Sequence, residues 1–203
     1  MALLRIRLLG DPVLRRKCKA VPRVTAEERH LIDDMLETME AANGAGLAAP
    51  QVGVEKRVVL VRLSESRKSP GEVVPIINPV IVHRGKELAT DVEGCLSLPT
   101  VQGDVERHVE ITVRGLTPKG KRIELTQNGF GARVIQHEVD HLDGVLFIDR
   151  HVPDSLDFVR SRVDEDGEEE LVLVPTTLEA VQAYFRARAR RANRAPLEAG
   201  VVA

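Results

Sequence analysis

The chain has 203 residues, enough for one compact domain with a substantial core. Its formal net charge of −2 gives no general pull toward DNA, RNA or an anionic membrane. Two cysteines, Cys18 and Cys95, are too few for a disulfide scaffold, no apolar run approaches the ~20 residues of a membrane span, and Arg5 interrupts any secretory signal. A cytoplasmic protein is expected. With four Phe, one Tyr and no Trp, the core must rest on Val, Leu, Ile and Ala.

In chain order, Asp11-Pro12 is a turn signal, and Val21-Pro22 closes an irregular arm. Thr25 with Glu28 three residues on has the capping-box pattern. Leu31, Ile32, Met35, Leu36 and Met39 follow at helical spacing, and Asn43-Gly44 supplies a stop, so a helix is predicted over residues 25–43. In the next stretch, 44–51, glycine and alanine let the backbone approach another element closely, and Gln51 adds an amide donor. Arg57–Leu63 reads as a strand, residues 64–72 as a polar loop, and 73–82 as an extended segment interrupted at Asn78-Pro79. Residues 109–114 and 121–126 read as a hairpin joined through Pro118-Lys119-Gly120. A helix is placed at 129–142, ending at Asp143-Gly144. Beyond 150 the composition changes: an acidic run at 164–170 suggests a hairpin turning at Asp166-Gly167, and Thr177 can cap a last helix reaching about Asn193. That helix gathers Arg186, Arg188, Arg190, Arg191 and Arg194, and the final residues are expected to fray. The fold class is α+β: a mixed, mostly antiparallel sheet packed around the 129–142 helix, with a C-terminal helix. Residues 1–150 are expected to form the main domain, and 151–203 an extension with an acidic hairpin and a basic helix that is part of it or appended to it.

The chemistry centres on Gln136-His137-Glu138-Val139-Asp140-His141-Leu142. Residues four apart share a helix face, so His137 and His141 can aim two imidazoles at one ion, with Glu138 beside them. His-Glu-x-x-His alone leaves a solvated helix face equally open. A catalytic site needs a third ligand, and Cys95 in Glu93-Gly94-Cys95-Leu96-Ser97 is the candidate, against the alternative of a buried reduced thiol. Cys18 reads as such a thiol. His30 reads as an exposed helix residue, and His83, His108 and His151 as surface residues.

Three segments in this order, 44–51, 93–97 and 136–142, resemble the signature motifs of bacterial peptide deformylases, a resemblance covering roughly residues 5–150. It implies that Cys95, His137 and His141 hold one divalent ion: ferrous iron, with zinc, nickel or cobalt able to substitute. It implies that Glu138 is the general base, and that the Gln51 amide and the Leu96 backbone N–H stabilise the oxyanion as formate is released from formyl-methionine. Ala45, Gly46 and Gly94 would pair with the nascent peptide as an added strand, and Phe130 and Val134 would form the methionine pocket. Glu93 and Arg107 would brace the cysteine loop, and Gln136 would support the metal shell by hydrogen bonding. Two positions depart from the pattern. Ala45 stands where a larger aliphatic is common, and Gln102 where some members carry an arginine. The alternatives are a zinc peptidase of the His-Glu-x-x-His type and a non-catalytic, metal-stabilised binding module. The arginine-rich last helix is either a solvated helix end or, as the resemblance to some bacterial deformylases implies, a site of transient contact with ribosomal RNA; no DNA or membrane partner is expected.

Overall fold

The computed structural model describes residues 2–64, 71–163 and 168–192. Helix α1 spans Ala26–Ala41. The Thr25 hydroxyl accepts the Glu27 N–H (3.2 Å), while Glu28 accepts the Thr25 N–H (2.9 Å), so the predicted capping box forms. The helix stops where expected: Asn43 adopts φ +52°, and the Gly44 N–H reaches back to the Met39 carbonyl at 2.9 Å. Ile32, Met35 and Met39 are buried against Leu47, Val58, Leu60 and Ile77. Leu36 is exposed, lying off that stripe.

Two sheets replace the single mixed sheet. One has the order β1-β2-β3-β6-β7 (Gly46–Ala48, Val58–Leu63, Glu72–Arg84, Glu110–Leu116, Arg122–Asn128), the other β4-β5-β8-β9 (Leu88–Cys95, Leu98–His108, Asp157–Val163, Glu169–Pro175). Every pairing between these strands is antiparallel. The break expected at Asn78-Pro79 is a bulge within β3: the register shifts between Ile77 and Val80, and Asn78 has φ +52°. The Asn78 side chain exchanges two 2.8 Å hydrogen bonds with the Val21 backbone, anchoring the N-terminal arm there. The 110–128 hairpin forms as predicted. The proposed turns within 65–70 and 164–167, the end of the chain and Arg194 lie outside the described residues.

Strands β4 and β5 have no counterpart among the predicted elements. Leu98, Val101, Gly103, Val105 and Arg107 are buried while most residues between them are not, so the period of two is present. An inward arginine and a glycine hid it from a hydrophobicity pattern.

Helix α2, Gly129–Leu142, joins the sheets. Ala132, Ile135 and Leu142 pack on Val59, Val61, Ile76, Ile111 and Val113 of the first sheet. Its opposite face, with Arg133 and His137, hydrogen-bonds to β4 and β5. A separate cluster beneath the second sheet contains Val101, Val105, Phe147 and Phe158. Helix α3, Leu178–Ala192, inserts Val181 and Phe185 into it. The predicted Thr177 cap is present, its hydroxyl accepting the Ala180 N–H at 3.2 Å. No helix of the described residues is long and apolar enough to cross a membrane.

Candidate metal centre and substrate cavity

The i, i+4 spacing sets His137 and His141 one turn apart, with ring centroids 5.0 Å apart. Cys95 reaches them because the β4–β5 hairpin turns at Leu96-Ser97, with Cys95 paired to Leu98 across the turn. Cys95 Sγ lies 3.2 Å from His141 Nε2, and the ligand atoms of all three residues fall within 4.8 Å of one another. Two N–H donors aim at the sulfur, the Ser97 amide at 3.4 Å and Gln51 Nε2 at 3.5 Å, an arrangement suited to a thiolate. Gln51 is fully buried, and its carbonyl accepts the Ala48 N–H at 2.7 Å, which turns the amide NH₂ toward Cys95 and Ser97.

Glu93 is the hub of the buried polar face. Both its oxygens accept from Arg107 at 3.0 Å, Oε1 also accepts from Arg133 at 2.9 Å, and Oε2 lies 2.9 Å from His137 Nδ1. Burial alone would raise the Glu93 pKa, but His137 and Arg107 outweigh it and hold the carboxylate ionised. Because Nδ1 of His137 is bonded to Glu93, Nε2 is the nitrogen left for an ion. Burial disfavours charge on His137, yet Cys95, Glu93 and Glu138 raise its pKa well above the ordinary value. His141 goes the other way, lowered first by burial and then by His137.

Glu138 is buried, and its Oε2 has no hydrogen-bond partner. Desolvation raises its pKa to about 7. The close backbone approach expected from the 44–51 stretch is made here: a Cβ on Gly46 would lie 2.3 Å from Glu138 Oε1.

These groups open onto a cavity of about 690 Å³. Ala45, Gly46, Gly94, Leu96, Phe130 and Val134 line it, together with Gln51, Cys95, His137 and Glu138. His141 lies beneath, 1% exposed. The donor set fits a divalent ion: a thiol and two imidazoles converge, one imidazole is oriented by a carboxylate, and a buried carboxylate oxygen stands unpartnered beside them.

Three expectations need correction. Gln136 does not hydrogen-bond to Cys95, His137 or His141. Its amide donates to the carbonyls of His108 (2.9 Å) and Ala132 (3.0 Å) and accepts the His108 N–H, because its position on α2 faces the end of β5. His108 and His151 are half-buried, their Nδ1 atoms 2.7 Å from the carbonyls of Gly85 and Ile148. Two members of the polar network were missed. Arg133 is buried and also donates to the carbonyls of Ala89 and Val105, at 2.7 Å each, and Asp140 joins Arg107 to Arg150. Helical spacing held the signal for Arg133, which stands four residues before His137 on the same face. Cys18 is a buried free thiol as expected, and burial raises its pKa to about 11.

A model of the polypeptide deformylase family matches residues 3–156. A peptide deformylase of Halothermothrix orenii is 48% identical over 153 residues, covering 75% of this chain and 96% of the relative. The crystal structure of a peptide deformylase from Synechococcus elongatus with actinonin is similar at a TM-score of 0.68 and 43% identity, covering 73% of this chain and 79% of that one. A class I type b peptide deformylase from Acinetobacter baumannii, with Met-Ala-Ser bound, matches at a TM-score of 0.70 and 36% identity, covering 74% and 98%.

Proposed function

Because the chain belongs to the peptide deformylase family, it is a metal-dependent hydrolase that removes the formyl group from the methionine beginning nascent polypeptides, and we propose the part each residue takes. Cys95, His137 and His141 hold one divalent ion, ferrous iron in the cell, with zinc, nickel or cobalt as substitutes; sulfur and imidazole donors suit each of these. When bound, the ion polarises the formyl carbonyl and makes a water acidic enough to attack near neutral pH.

Glu138 takes the proton from the attacking water and delivers it to the departing amine nitrogen. The Glu138 carboxylate, buried beside the metal donors and opening onto the cavity, is placed for both transfers. The Gln51 NH₂ and the Leu96 N–H donate to the oxygen that becomes negative as the formyl carbon turns tetrahedral. The Ala48 bond to Gln51 keeps that amide from flipping. Glu93 orients His137, while Arg107 and Arg133 keep Glu93 charged. The peptide lies extended between the backbone at Ala45-Gly46 and that at Gly94, its methionine side chain against Phe130 and Val134. The A. baumannii relative has Met-Ala-Ser bound, which supports a short peptide beginning with methionine as the kind of ligand this cavity takes. Residues 151–192 extend the catalytic domain through α3.

The observation that carries this reading is the buried Glu138 carboxylate, its Oε2 without a hydrogen-bond partner, in the same cavity as the converging metal donors Cys95 and His137. A closed structural metal site has no use for it, which disfavours the binding module. The peptidase alternative needs a His or Glu ligand after His141, and the cluster among the described residues contains none. The test is formate release from a formyl-methionyl peptide, anaerobically with ferrous iron, beside Glu138→Ala and an acetylated peptide. Release confined to the wild type and the formylated peptide is expected; no release from folded, iron-loaded protein would refute the assignment.

We place the enzyme in the cytoplasm, where formylated chains are made. Contact with ribosomal RNA through the exposed Arg186, Arg188 and Arg190 of α3 is the partner reading. Reversing these charges should abolish salt-sensitive co-sedimentation with ribosomes; binding unaffected by the reversal would discard it.

A further inference from the structure

The family match ends at residue 156, so β8 and β9 lie wholly beyond it. Nevertheless, Val159, Ser161 and Leu171 of this hairpin line the same cavity as Cys95 and Glu138. The register pairs Ser161 with Leu171 and Val159 with Leu173. Paired residues, and those two apart on a strand, share a sheet face, so Val159, Ser161 and Leu171 present one surface. The other face is fixed in the core: Phe158 packs with Val181 and Phe185 and meets the Tyr184 ring at 5.4 Å. Pairing of β8 with β5 at Val101 and Gln102 anchors the base of the hairpin. Leu171 is 72% exposed, an unusual amount of free apolar surface for a residue on the wall of a reaction cavity.

We infer that this hairpin binds the substrate residues following the formylated methionine, and that Val159 and Leu171 make the enzyme prefer apolar side chains there. The inference rests on the deformylase reading, which puts the formyl group beside Cys95 and Glu138 and the first side chain beside Phe130 and Val134. An extended peptide advances about 3.3 Å per residue, and the remaining wall of the cavity available to it includes the hairpin. An apolar side chain laid on Leu171 and Val159 withdraws carbon surface from water on both partners, which a polar side chain does not. Gln102, which lines the same cavity, is uncharged, so the apolar contact decides the preference.

The test uses the full chain, loaded with ferrous iron, and two formylated tetrapeptides beginning with methionine and alanine. One ends in two leucines, the other in two serines. The wild type should show kcat/KM about tenfold higher for the leucine peptide, a difference within reach of one or two apolar contacts. Leu171→Asp and Val159→Ser should each bring the ratio below about threefold, with circular dichroism unchanged. Glu170→Ser, on the same strand but on its opposite face and off the cavity, should keep the ratio. A wild-type ratio near one, or a tenfold ratio untouched by Leu171→Asp, overturns the inference while leaving deformylation intact. Failure to release formate from either peptide would remove the deformylase reading itself, and this inference with it.

Discussion

The Gly46 Cα rests against the Glu138 carboxylate so closely that an added methyl would fall 2.3 Å from Oε1 and 2.8 Å from Cδ. Gly46 pairs with Val61 in the sheet, and Glu138 is held by α2, so neither backbone can give way. Gly46→Ala must therefore displace the carboxylate. Formate release should fall at least ~100-fold, as expected when a catalytic group moves by about 1 Å. Circular dichroism and metal content should stay near wild type; full activity in Gly46→Ala would show that the carboxylate position is not limiting.

The raised pKa of Glu138 also makes stability depend on pH. In the metal-free protein its carboxyl titrates near 7, against 4.5 for an ordinary glutamate, so between those values the folded state holds a proton that the unfolded state has released. Stability therefore falls as pH rises through this window, by up to roughly 3 kcal/mol. Glu138→Gln removes the titration. Urea unfolding of metal-free protein should find the variant more stable than wild type at pH 8 by that order, and near parity at pH 4.5. The same difference at both pH values would contradict the assignment.

Glu93 answers two buried arginines and a histidine at once. Glu93→Gln leaves those charges underground with one partner fewer, and should destabilise by roughly 3–5 kcal/mol. Metal affinity should drop about 10- to 100-fold as His137 loses its orienting acceptor. Arg133→Met should cost less, since Arg107 remains on Glu93 through two bonds. Urea unfolding and competitive metal titration read the two effects separately, and unchanged affinity in Glu93→Gln would deny the orienting role.

Removing the ion should destabilise the fold as well as stop the reaction, because the ion adds a tie between Cys95 of β4 and the two histidines of α2 to those already made through Glu93 and Arg133. Adding excess ferrous iron should raise the melting temperature of the wild type, and that of Cys95→Ser far less. Equal shifts in both proteins would remove Cys95 from the ligand set.

The capping box serves stability alone. Thr25→Ala loses the hydroxyl acceptor for the Glu27 N–H and should cost about 1 kcal/mol. In a chain of this length that is a drop of about 2–4 °C in melting temperature, with formate release unchanged.

Much of this architecture is legible in the amino-acid sequence by itself. Thr25 with Glu28, the Asn43-Gly44 stop, the hairpin across Pro118-Lys119-Gly120 and the limits of α2 are all specified by residues within a few positions of one another. Hydrogen bonds of caps and turns are short-range, so local residue types decide them. The same holds for His137 and His141, whose shared face follows from helical pitch. Cys95 is a candidate third ligand from the sequence, but only the resemblance of three ordered motifs favours that over a buried thiol. Tertiary structure decided what those motifs meet. It placed Gly46 under Glu138, surrounded Glu93 with Arg107, Arg133 and His137, sent Gln136 to the β5 backbone, and brought Val159 and Leu171 to the cavity wall. Strands β4 and β5 are hidden in the sequence for the same reason that they matter: their inward positions include charged residues. A buried charge is tolerable only when distant segments supply its partners, and no local pattern records which segments those are.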